Sequence, residues 1–240
     1  IFKDEYPKRF LHQLISSQLD MDRLDYLRRD SFFTGVNEGN IGSARIIKML
    51  NVVEDNLVVE SKGIYSIENY LTSRRLMYWQ VYLHKTAVAC EKVLINALNR
   101  AKFLRMTGHD IFASPSLDYF LCNNIDASHF HTSPEALEHY SLLDDNDIWC
   151  ALKVWQKSND KILALLSSDV INRHIFKVEV SDSPFPSDYV CQIKEQLASH
   201  FNISPDDTKH LYSIDTVQKD MYDINDDHIS ILYKDGTLRD

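Results

Sequence analysis

Asp22, Tyr26 and Asp30 stand at i, i+4 and i+8. On a helix that spacing stacks two carboxylates and a phenol along one face, with Arg23 beside them. Leu19, Leu24 and Leu27 supply apolar packing on other parts of the same surface. Carboxylate oxygens suit Mg²⁺, Mn²⁺, Fe or Zn²⁺. A neighbouring guanidinium suits phosphate, and a tyrosine ring can pack against a sugar. Spacing alone leaves a second reading open, a solvated helix face laced by Asp–Arg pairs.

A second stretch has the same character. In RRLMYWQVYLHK, Arg74, Tyr78, Tyr82 and Lys85 fall at i, i+4, i+8 and i+11. A continuous helix would bring them to one face. Here too the periodicity leaves two readings open: a ligand-facing stripe, or aromatics of an ordinary core.

The elements that must carry these residues are helical. Asp20 is placed to cap a helix from about Met21 to Phe33, and Gly35 to end it. Residues 6–18 and 41–50 read as further helices, and 56–61 as a short strand. Residues 66–106 hold no Pro or Gly and form one or two long helices. Ser133-Pro134-Glu135 starts another, followed by helices over 145–157, 160–166 and 188–201. Ile175 to Val180 (IFKVEV) and His228 to Tyr233 (HISILY) alternate like strands, the second leading into the turn signal Asp235-Gly236. The expected fold is mainly α, a helical block over 1–170 followed by a small α+β appendage over 171–240.

Composition bounds the function. The chain has 240 residues, with 6 Gly and 6 Pro, which favours long helices over a β-sandwich. The net charge of -9 argues against nonspecific nucleic-acid binding, while a locally basic pocket for a phosphorylated ligand stays open. Cys90, Cys122, Cys150 and Cys191 show no CxxC spacing and read as buried free thiols of a reducing, cytoplasmic compartment. No apolar run is long enough to span a membrane. The acidic clusters Asp144-Asp145-Asp147, Asp206-Asp207 and Asp226-Asp227 read as helix caps and solvated loops.

The string LDMDRLDYLRRDSFFTGV resembles the fourth-ligand segment of HD-superfamily phosphohydrolases of the dGTPase and SAM-and-HD-domain type. Their pattern D-x-D-[RK]-x-D-Y-x-x-R-D is matched by Asp20, Asp22, Arg23, Asp25, Tyr26, Arg29 and Asp30. The resemblance implies that Asp22 is the metal-ligating carboxylate and that Arg23 touches the triphosphate. It further implies that Tyr26 lies near the phosphates and that Asp30 accepts from the sugar 3′-hydroxyl. The second stretch is similar to the family's R-x7-Y-Q-H-K. Arg74 then matches a phosphate-binding arginine, Tyr82 the ring beneath the deoxyribose, and His84 and Lys85 the H-K pair. Leu83 departs from the pattern where relatives carry Gln, and Leu cannot bond a hydroxyl.

The family's metal set is His, then His-Asp, then Asp, with the first three upstream of the D-x-D-R helix. Only His12 precedes Asp22 here. His109-Asp110 follows it, in the wrong order, and reads as a loop; His129 and His131 read as a surface loop and His139 as exposed. No catalytic acid or base is identifiable. The resemblance therefore implies a piece of a longer protein, inactive alone, whose intact parent binds a divalent metal (Mg, Mn, Fe or Zn), assembles as a homo-oligomer and converts dNTP to deoxynucleoside plus triphosphate. Two alternatives stand beside it: an HD phosphohydrolase for another nucleotide phosphoester, and a nucleotide-sensing or oligomerisation module without catalysis.

Overall fold

Asp20 and Gly35 bracket the helix that carries the acidic face. In the computed structural model, which describes residues 3, 5–217, 222 and 228–239, Asp20 accepts from the Arg23 amide at 2.7 Å. Gly35 takes the left-handed conformation, φ 74°, that ends the helix. Asp226-Asp227 lies outside the described residues.

The molecule is mainly α-helical with one small four-stranded sheet, and the chain divides into two compact units. The first comprises 1–84 and 216–240, and the second 85–215. Residue 170 lies within the second.

In the first unit, α1 (Arg9–Gln13), α2 (Met21–Thr34), α3 (Ser43–Met49) and α4 (Ile64–Met77) accompany strands β1 (Leu50–Val53), β2 (Asn56–Glu60), β3 (Ile231–Leu232) and β4 (Leu238–Arg239). β1 and β2 form a tight hairpin in which Glu54 and Asp55 both take positive φ, the twist that a two-residue hairpin loop demands. β3 adds parallel to β2, Val59 opposite Ile231, and β4 folds back antiparallel across the Asp235-Gly236 turn. The HISILY strand therefore extends the sheet begun by the N-terminal hairpin. Leu24, Leu27, Ile46, Ile67, Tyr70 and Met77 fill the core. Gly39 lets α2 and α4 come close: a Cβ there would lie 2.6 Å from Met77 Sδ and 2.8 Å from Ser31 Cβ.

Of the one or two long helices expected over 66–106, the structure forms two. α4 stops at Met77, a wide π-type turn covers Tyr78–Tyr82, and α5 (Lys85–Met106) opens the second unit. The Leu83 amide reaches back five residues to the Tyr78 carbonyl at 2.7 Å.

In the second unit, α5 packs with α6 (Pro115–Cys122) and α10 (Lys161–Asn172), α8 (Pro134–Leu142) packs on α6 and α9 (Asp145–Trp155) on α10; α7 (His129–Thr132) is a single turn and α11 (Ser187–Phe201) completes the unit's helices. Ala97, Ala101 and Ala151 are fully buried with Leu152, Leu163, Leu166 and Trp155. The Trp155 indole finds the Phe112 carbonyl at 2.8 Å. Asp144 caps α9 in a reciprocal box with Asp147, as expected of that acidic cluster. Asp207 instead pairs with Arg100.

Several sequence expectations are corrected. All four cysteines are exposed, because each falls on the outer side of its helix. His139 is half-buried, stacked on Tyr119 at 4.4 Å. Ile175–Val180 runs without turn or bend but joins no strand among the described residues.

His210 is buried, its Nε2 without a hydrogen-bond partner among the described residues. Burial pushes its pKa below the ordinary 6.5, helped by the charges of Arg100 and Lys209 and opposed by Asp207 and Asp160. The folded unit keeps the ring neutral while the unfolded chain takes a proton near 6.5. Stability from this group is thus flat above that pH and falls as pH drops from 6.5 towards the lower folded value. Denaturation midpoints between neutral and mildly acidic pH, for the chain and for His210→Asn, check this: the variant should show the shallower slope.

Candidate functional site

α2 and the α4–π-turn segment position the candidate side chains in the first unit. Leu24 and Leu27 are buried, and the neighbouring Arg23, Tyr26 and Asp30 are half-buried beside them. Ser73, Arg74 and Met77 are buried on α4.

The phenols gather first. Tyr82 meets Tyr26 edge-on at 5.9 Å between ring centroids and Tyr78 at 5.2 Å. The Tyr82 hydroxyl donates to Asp30 Oδ2 at 2.7 Å. Burial raises the Tyr82 pKa, and the hydrogen bond to Asp30 raises it further. Tyr26 is pushed up to about 12 by burial and by its bond with Tyr78. The Tyr26 and Tyr82 phenols therefore stay protonated at neutral pH.

The cations lie beneath. Arg23 pairs with Asp20 at 2.9 Å and also donates to the Ser17 carbonyl. Arg74 is only 6% exposed, and its Nε and Nη1 have no hydrogen-bond partner among the described residues. Its charge nevertheless reaches Asp20, Tyr26 and Tyr70, favouring their ionised forms against the larger effect of burial. The Tyr70 hydroxyl is spent on the Gln18 carbonyl at 2.6 Å. A buried guanidinium with donors unspent is costly to hold without an anion, so the arrangement is suited to receive negatively charged oxygen.

The structure thus brings Tyr26, Asp30, Arg74 and Tyr82 into one first-unit cluster with Arg23 at its edge. Asp22 is exposed on α2. His84 is exposed just past the π-turn, and Lys85 begins the second unit. The single helical face expected for Arg74 through Lys85 is not formed, because the wide turn breaks the periodicity. Tyr78 was visible in the spacing four residues after Arg74, yet its tie to Tyr26 had no sequence signal.

HD phosphohydrolases generally use divalent metals. The residues present do not fit such an ion by themselves. Among the described residues no three His, Cys, Asp or Glu side chains come together, and Asp22 is a single carboxylate.

Residues 41–113 match the family model described as an HD associated region. The chain is 35% identical to protein YwfO of Bacillus subtilis over 72% of its own length and 38% of that protein. It is 26% identical to the deoxynucleoside triphosphate triphosphohydrolase SAMHD1 homolog of Dictyostelium discoideum over 42% of this chain and 20% of that one. Among solved structures, a phosphohydrolase from Bacteroides thetaiotaomicron superposes with a TM-score of 0.94 at 60% identity, covering 99% of this chain and 59% of that one. The chain therefore spans well under two thirds of these proteins' lengths. Together the HD associated region and the phosphohydrolase neighbour support an HD-type phosphohydrolase family.

Proposed function

We propose that this chain is the nucleotide-gripping portion of an HD-type phosphohydrolase acting on deoxynucleoside triphosphates, yielding deoxynucleoside and triphosphate. The observation that carries the reading is Arg74: a buried guanidinium with two donor nitrogens unspent, set beside a cluster of protonated phenols. Arg74 and Arg23 neutralise the phosphate chain, and their planar forks suit its oxygens. Tyr82 offers a flat ring to the sugar. Its hydroxyl fixes one oxygen of Asp30, leaving the other to accept from a 3′-hydroxyl. The Dictyostelium relative's name supports the deoxynucleotide substrate, and the phosphohydrolase neighbour supports hydrolysis.

These residues bind and orient; none is placed to move a proton at the reacting phosphorus. Asp22 contributes one carboxylate to a metal set whose other members do not gather among the described residues. The 240-residue chain alone therefore binds without turning over, and hydrolysis belongs to a longer parent. In such a parent, homo-oligomeric and cytoplasmic, the bond broken lies at the α-phosphorus. No described helix is long and apolar enough to cross a membrane.

Product analysis on the parent-length protein tests the reading. Equal amounts of deoxynucleoside and intact inorganic triphosphate are expected from a dNTP. Release of pyrophosphate or orthophosphate instead would place cleavage at another bond of the same nucleotide, and turnover of a nucleoside monophosphate or cyclic nucleotide but not of a dNTP would move the substrate to another phosphoester. Binding of dNTP to this chain with no turnover by the parent would leave a nucleotide-sensing module.

A further inference from the structure

Arg173, in the left-handed conformation at φ 60°, ends α10 and sends the chain into 174–181, eight residues with neither turn nor bend. Lys177 and Glu179 pair at 2.8 Å, as side chains two apart on one face of an extended strand do. The Tyr189 hydroxyl of α11 donates to Glu179 at 2.5 Å and steadies that face. The other face carries Phe176, Val178 and Val180; Phe176 packs against the second unit's core, while Val180 is 79% exposed. The His174 amide closes on the Asp169 carbonyl at 2.9 Å; among the described residues no backbone hydrogen bond joins 175–181 to another segment. The second unit thus presents a segment whose residue types alternate as in a strand, with a packed anchor at Phe176 and no ladder partner among the described residues.

The order of residues says what fits that edge. Laid antiparallel on a second copy about a two-fold axis through Val178, the segment is self-complementary. Residue 176 meets 180, 178 meets 178, and 177 meets 179. One face then stacks Phe176 on Val180, Val178 on Val178 and Val180 on Phe176. The other sets each Lys177 opposite the second copy's Glu179, and each Glu179 opposite its Lys177. Directly opposed residues of antiparallel strands share a face, so apolar meets apolar and each cation meets an anion. Pro184 and Pro186 follow, where a strand could no longer donate.

We infer that residues 175–181 form an antiparallel, two-fold symmetric β-interface with a second copy of this chain. The contact is isologous, so it closes into a dimer and does not propagate into a fibre. It does not depend on the nucleotide reading.

Charge reversal tests it without touching either core. Sedimentation equilibrium of the 240-residue chain should show a dimer. Lys177→Glu places glutamate against glutamate at both cross-strand pairs, and Glu179→Lys places lysine against lysine. Each variant alone should self-associate on the order of tenfold more weakly. An equimolar mixture of the two should recover wild-type association, since every cross-copy pair is again opposite in sign. Neither variant retains the Lys177–Glu179 pair within its own chain, so recovery on mixing reports the contact between copies. A wild-type chain that stays monomeric overturns the inference. So do single variants that dimerise as tightly as wild type, or a mixture as weak as its components.

Discussion

Arg74→Met makes the unliganded chain more stable and its nucleotide affinity far weaker. The arginine is 6% exposed, and two of its donor nitrogens lack partners among the described residues. Replacing it with an apolar side chain of similar length removes unsatisfied buried donors, worth about 1–3 kcal/mol to the first unit. The same change withdraws a desolvated charge from the phosphate chain, which costs about 3 kcal/mol of binding, roughly a hundredfold. Thermal denaturation without ligand and titration calorimetry with a dNTP check the two signs together. A residue serving only to hold the fold would lose on the first measurement. A variant that binds as tightly as wild type would remove Arg74 from the site.

Arg100→Met has the opposite outcome in the second unit. Arg100 makes a two-pronged contact with Asp160, at 3.1 and 2.6 Å, and its remaining nitrogen pairs with Asp207. It is buried, while the Asp160 and Asp207 side chains keep 19% and 30% exposure. Burial pushes each carboxyl upward, but the arginine holds Asp160 below its usual range, and Ser204 together with the arginine does the same for Asp207. Removing it strands two partly buried anions and should cost about 3 kcal/mol. Asp160 also caps α10 through the Leu163 amide, so its repulsion from Asp207 loosens that helix start. Urea unfolding of both proteins measures the loss, and the double variant with Asp207→Asn should recover part of it. An unchanged midpoint would show that the three charges do not act together.

What the sequence disclosed was whatever chemistry acts within a few residues. Asp20 capping α2, Gly35 ending it, Pro134 opening α8 and the Asp144 cap are short-range hydrogen bonds or backbone preferences, written in the residues themselves. The gathering of Tyr26, Asp30, Arg74 and Tyr82 was foreshadowed by motif and spacing. The Tyr82–Asp30 bond joins positions 52 apart and depends on how α2 meets the turn after α4. β1 was hidden behind the end of a helical pattern because its state is fixed by pairing with β2. Asp207 read as a solvated loop acid, since nothing local reveals that Arg100 lies 107 positions away. The cysteines misled for a related reason: thiols are usually buried, but the face each helix turns to solvent is decided by its neighbours.

The π-turn at Tyr78–Tyr82 sets where this stretch can tolerate a change of length. A π-turn fits one more residue into a helical turn than the α-helix allows. Here the Leu83 amide spans five residues back to the Tyr78 carbonyl, where an α-helical amide spans four. Removing one residue between Tyr78 and Tyr82 would suit the helix and turn Tyr82 away from the carboxylate of Asp30 by about 100°. Local helix preference and pocket geometry therefore oppose each other at this turn.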